Sequence, residues 1–103
     1  MKPVRLRPTA KADMRREVAY HQREAGSTVA RKLMKSLRQA ERRLSMQPGL
    51  GSPRIGQVLD VDGLRAWPID GFPMSLWYFE RSDHVDVARL VAHRQDRERI
   101  DVE

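Results

Sequence analysis

Val4 and Leu6 alternate with Arg5 and Arg7 until Pro8 stops the run, and this period of two predicts a short strand over residues 3–7 with one covered face. The period then changes. Ala10, Met14, Val18, His21 and Ala25 recur at helical intervals, tracing one face of a helix that the Thr9 hydroxyl is placed to cap and that Gly26 closes. Ser27 or Thr28 can cap a second helix, in which Ala30, Leu33, Met34, Leu37, Ala40 and Leu44 share one arc and Arg31, Lys32, Lys35, Arg38 and Arg42 the opposite one. Pro48-Gly49 ends it, because proline cannot extend the ladder and glycine readily turns the chain. Two helices joined by so short a turn form an αα-hairpin, and their apolar stripes need a sheet to cover.

Residues 48–63 are rich in glycine and proline and read as a loop, with a short extended piece over 57–61. Leu50, Ile55, Val58 and Leu59 are its expected anchors to the core. Three strands follow. The first, over residues 64–69, contains Pro68 and so belongs at a sheet edge. Residues 74–80 are apolar on both parities, as a central strand requires. In the last strand Val85 and Val87 have one parity and Leu90 and Ala92 the other, and a bulge near Ala88-Arg89 would return all four to one side. The expected fold is α+β, in the order β-α-α-β-β-β, with an antiparallel sheet covered on one face by the αα-hairpin and residues 1–103 forming one domain.

Composition narrows the setting. The chain has no cysteine, so neither disulfides nor thiolate zinc ligands can staple it and apolar packing must carry its stability. No apolar run approaches the roughly 20 residues that cross a bilayer, and a cytoplasmic protein without a membrane partner is expected. Charge is unevenly shared: residues 1–59 hold 14 Lys or Arg against four acids, whereas residues 60–103 hold six against ten. The helical half is therefore a surface that can attract phosphates, an acidic protein or an anionic membrane.

Several motifs point to a known family. Leu64-Arg65-x-Trp67, Gly71-Phe72-Pro73, Tyr78, Val87 and a closing His93-Arg94 with Asp96 resemble the toxins of the ParE branch of the ParE/RelE superfamily. Ala10-Lys11-Ala12-Asp13-Met14 with Tyr20 resembles that family's first helix, and Gln47-Pro48-Gly49 the close of its second. The resemblance implies a toxin of a type II toxin–antitoxin pair that inhibits DNA gyrase by binding rather than by catalysis. It also implies neutralisation by a ParD-like antitoxin through an acidic C-terminal segment.

Site expectations follow from that resemblance and from the residues. Trp67, Phe72, Trp77, Tyr78 and Phe79 crowd into thirteen positions and cannot all face one layer of helices. Leu64, Trp67, Phe72, Trp77 and Phe79 are therefore expected to meet the antitoxin. Arg31, Lys35, Arg38 and Arg42, with His93, Arg94 and Arg97, are expected to face gyrase, with at most weak or indirect contact to its DNA. The RelE branch instead cuts messenger RNA on the ribosome. On that alternative Arg65, Tyr78, His93 and Arg94 would carry the chemistry, although no arginine directly precedes Tyr78 and nothing aromatic follows Phe79. His21 reads as a packed histidine and His84 as a turn residue, and three scattered histidines predict neither a metal site nor a cofactor.

Overall fold

The computed structural model of the chain describes residues 1–102. Strand β1 (Val4–Leu6) leads into helix α1 (Pro8–Ala25), helix α2 (Ser27–Met46), a 3-10 turn (Pro48–Leu50) and a short helix α3 (Arg54–Leu59). Strands β2 (Leu64–Pro68), β3 (Met74–Glu80) and β4 (Val85–Ala92) follow, then a last 3-10 turn (Arg97–Arg99). The strands lie in the order β1-β4-β3-β2.

The hairpins β2–β3 and β3–β4 are antiparallel, whereas β1 pairs with β4 in parallel register, Val4 opposite Val85 and Leu6 opposite Val87. Connectivity forces this. α1 continues in the direction of β1, reaching Arg89 with Asp13 and Arg94 with Glu17, and α2 returns to place the Ser45 carbonyl on the Lys2 amide. The chain thus re-enters the sheet at the end where β1 began, and two hairpins later β4 runs the same way as β1. The expected antiparallel sheet holds for three strands and becomes mixed at the fourth.

Three further expectations change. Neither Ser27 nor Thr28 caps α2, which begins at Ser27 with Gly26 as its N-cap and no side-chain cap. Thr9 does not cap α1; Pro8 occupies its first turn, where a missing amide hydrogen costs nothing, and Arg7 stands in extended backbone before it. Residues 48–63 are not a plain loop, because α3 occupies the place of the extended piece. Gly56 makes this possible: a side-chain carbon there would lie 2.6 Å from the carbonyl oxygens of both Val61 and Leu64. The single-residue turn between the long helices is Gly26 at φ 91, a left-handed value that glycine adopts without a steric penalty.

The bulge is where the parity switch placed it. The β3–β4 register skips Ala88, pairing Trp77 with Arg89 and Tyr78 with Val87. Val85, Val87, Leu90 and Ala92 consequently all join the main core beneath the helices, with Leu33, Leu37, Leu44, Leu76 and Tyr78. Burying each such leucine contributes about 1.5–3 kcal/mol. A second, smaller core fills the opposite face, where Leu64, Trp77, Phe79, Ala88 and Val91 are covered by Ile55 and Leu59 of α3 and by Ile100 and Val102.

Because β1 is only three residues long, β4 beyond Val87 has no strand on that side. Side chains of α1 take its place. Thr9 Oγ1 donates to the Ala88 carbonyl at 2.8 Å, and Asp13 Oδ2 accepts from the Leu90 amide at 3.0 Å. At the opposite edge Ser52 bridges Ala66 of β2 through both backbone groups, so that edge is partly closed to added strands.

Candidate functional site

The candidate groups divide into those consumed by the fold and those left open. Tyr78 and Arg65 are neighbours across β3 and β2, and both serve the turn that ends α2. The fully buried Tyr78 hydroxyl donates to the Pro48 carbonyl at 2.6 Å and accepts from the Gly51 amide at 2.8 Å. Burial pushes the phenol above its ordinary pKa, partly offset by the Gly51 amide and Arg65. Arg65 Nη1 donates to the carbonyls of Gly49 and Gly51. Gly51 must be glycine here, because a side-chain carbon would lie 2.5 Å from the Tyr78 oxygen. These two residues fix a turn.

His93 and Arg94 lie elsewhere, past the end of β4. His93 Nε2 is 3.1 Å from the Ser75 hydroxyl, and its backbone amide donates to the Pro73 carbonyl. Arg94 reaches back to α1, where its guanidinium is 3.1 Å from Glu17 and lies over the Tyr20 ring at 4.7 Å. Arg65, Tyr78, His93 and Arg94 therefore belong to three separate hydrogen-bonded groups, Arg65 and Tyr78 alone sharing one. Arg97 stands exposed in the last 3-10 turn.

Asp13 and Glu17, one helical turn apart on α1, are the charged groups that sequence reasoning missed. Both are fully buried. Burial alone would raise the Asp13 pKa, but hydrogen bonds from Arg89, the Leu90 amide and Arg16 outweigh it and hold the carboxyl below its ordinary range. Their signal was present as two acids among Ala10, Met14 and Val18 on the inward arc, facing a strand that supplies Arg89 and Arg94. A comparable cluster lies at the other end of β4. Arg7 and Arg81 both pair with Asp86 at 2.9 Å and flank the Phe79 ring, and the Arg7 hydrogen bond, opposed by burial, lowers the Asp86 pKa.

The aromatic patch is not an open surface. Leu64, Trp77 and Phe79, expected to meet the antitoxin, are 1%, 2% and 7% exposed because α3 and Val102 pack on them. Trp67 and Phe72 are half-buried on the helix side, Phe72 edge-on to His21 at 5.4 Å. The open apolar surface instead flanks α2. On one side Met14, Val18, Met34 and Leu37, with Arg15, Arg38 and Glu41, line a groove of about 540 Å³ against α1. On the other, Trp67 and Ile69 face Met46, Arg42 and Arg43 across a groove of about 820 Å³. Between them Arg31, Lys35, Arg38 and Arg42 all stand exposed, as the helical pattern predicts.

Among the described residues no helix is long and apolar enough to cross a membrane, and no group of three or more potential metal-binding side chains comes together. The profile of the family described as ParE toxin of type II toxin–antitoxin system, parDE, matches residues 4–97. The chain belongs to the ParE toxin family. Its fold is shared by a solved structure titled as a chromosomal ParDE toxin–antitoxin system from P. aeruginosa, with a TM-score of 0.75 at 18% identity, covering 89% of this chain and 96% of that one. No curated protein matches the chain in sequence.

Proposed function

We propose that this toxin inhibits DNA gyrase by binding it in the cytoplasm, and that a ParD-like antitoxin holds it inactive through an acidic C-terminal segment. Membership of the ParE family over residues 4–97 is the observation that carries the reading. The arrangement of the candidate catalytic groups supports it. Tyr78 and Arg65 are committed to the turn after α2 and Arg94 to Glu17, so the set that RNA cleavage would require is dispersed.

Function then rests on surfaces. The exposed cations of α2, with His93, Arg94 and Arg97 past the sheet, form the target side. The two grooves flanking α2 are apolar clefts with basic rims, suited to an acidic amphipathic segment whose apolar residues enter while its carboxylates meet the rim. Trp67 remains available for that contact. Leu64, Trp77 and Phe79 would support it from beneath by holding the sheet.

The test is to add the purified chain to a gyrase supercoiling reaction and, separately, to a translation extract. Lost supercoiling with intact message is expected. Cleaved message with normal supercoiling would replace this reading with the endonuclease one.

A further inference from the structure

We propose that the exposed face of α2 binds the phosphate backbone of duplex DNA directly and without sequence preference. At about 100° per residue, Arg31, Lys35, Arg38 and Arg42 fall within an arc of roughly 60°, and Lys32 and Arg43 extend it to roughly 140°. All six are exposed. From Arg31 to Arg43 the ridge is about 18 Å long at 1.5 Å per residue.

The arc contains no acid. Among the described residues no carboxylate lies in ion-pair contact with these six cations, whereas Arg7, Arg81, Arg89 and Arg94 each hold one. Glu41 is the nearby exception. It sits half-buried in the groove against α1, off the ridge, and interacts with Arg38 and Arg42 through space.

The shape of the ridge favours nucleic acid over an acidic protein. Protein partners draw most of their binding energy from Trp, Tyr and Arg anchors seated in well-packed, desolvated pockets, and the concave apolar surface here lies in the grooves to either side. Arg38 borders one groove and Arg42, Arg43 and Met46 the other, whereas Arg31, Lys32 and Lys35 line neither and carry the ridge on along the open face of α2. A phosphate backbone asks only for cations spaced along a line, and gains affinity by releasing its condensed counterions. Duplex DNA carries one charge per about 1.7 Å of axis, so a ridge of this length faces about ten phosphates. This inference takes its biological meaning from the gyrase reading above, since gyrase holds duplex DNA, but the binding is measurable without gyrase.

The experiment is fluorescence anisotropy of a labelled random-sequence duplex of about 20 base pairs with the whole chain, titrated at several salt concentrations. Four to six neutralised phosphates at a slope of about −0.9 each predict log K falling with log[salt] at about −4 to −5. The combined variant Arg31→Gln, Lys35→Gln, Arg38→Gln, Arg42→Gln should lose at least tenfold in affinity at low salt. A control that removes the same charge from exposed positions elsewhere, Arg5→Gln, Lys11→Gln, Arg23→Gln, Arg54→Gln, should bind nearly as the parent does. If the ridge variant fails to fold, acetylation of the unaltered protein decides: duplex should protect Lys32 and Lys35 but leave Lys11 reactive.

Absence of duplex binding, equal losses in both variants, or protection of Lys11 as strong as that of Lys35 would overturn the proposal. So would a ridge variant that keeps its DNA affinity and loses only affinity for an acidic helical peptide. The supercoiling assay separates the two readings. Gyrase inhibition without DNA binding leaves the gyrase proposal standing and removes this one, and DNA binding without gyrase inhibition does the reverse.

Discussion

Arginines at the seam between α1 and β4 and arginines along α2 are the same side chain given opposite tasks. At the seam, Arg89 forms two hydrogen bonds to the buried Asp13 and Arg94 reaches the buried Glu17. On α2 no carboxylate of the described residues forms an ion-pair contact with Arg31, Lys35, Arg38 or Arg42, Glu41 acting on Arg38 and Arg42 only through space, and each of the four is exposed. What separates them is the neighbour. A buried acid must be neutralised locally and draws its arginine into the fold, whereas a cation on an open helix face contributes little to stability and stays available for a partner. Arg89 is thus committed to the fold, the α2 cations stand free of it, and Arg94, paired with Glu17 yet 52% exposed, lies between the two.

The largest effect should come from the seam. Asp13→Ala strips the Leu90 amide and Arg89 of their shared acceptor, and it is expected to lower the unfolding free energy by about 3–5 kcal/mol, read from urea denaturation. Acid should do the same gradually. Asp13 and Asp86 both have folded pKa values lowered from the ordinary carboxylate value. Each therefore contributes stability that is complete above its unfolded pKa and is lost as pH falls through its folded one. Thermal unfolding followed below about pH 4 should show a steeper acid limb for the parent than for Asp13→Asn.

Glu17→Ala should cost less, about 2 kcal/mol, because its partner Arg94 is 52% exposed and can turn to water. Tyr78→Phe removes one hydroxyl that bridges Pro48 and Gly51, and about 1 kcal/mol is expected. That variant should inhibit gyrase as the parent does, whereas a catalytic tyrosine would be missed. Smallest of all in stability is the fourfold glutamine variant of the α2 ridge, expected within about 0.5 kcal/mol of the parent by urea midpoint.

The same contrast marks what the sequence disclosed. The α2 ridge was legible because period and charge agree there, and the β4 bulge because Val87 and Leu90 differ in parity yet both are apolar. Family motifs along most of the chain disclosed the fold class. The buried acids were hidden because Asp13 and Glu17 look like solvent residues until Arg89 and Arg94 arrive from across the fold, some 76 positions away in the hydrogen bond between Asp13 and Arg89. α3 was hidden because Arg54–Leu59 is six residues long and carries Gly56 inside it, a weak helix by propensity that exists through its packing on β2. For the same reason the aromatic face looked open: neither α3 nor the tuck of Ile100 and Val102 onto Trp77 and Phe79 leaves a local pattern.

Gyrase supercoiling measured against increasing amounts of the parent chain and of the fourfold α2 ridge variant tests the division of labour most directly. The parent is expected to inhibit and the variant to leave supercoiling intact, while their urea midpoints coincide. Equal inhibition by the two proteins would contradict it, since the open cations of α2 would then have no part in the action of the toxin.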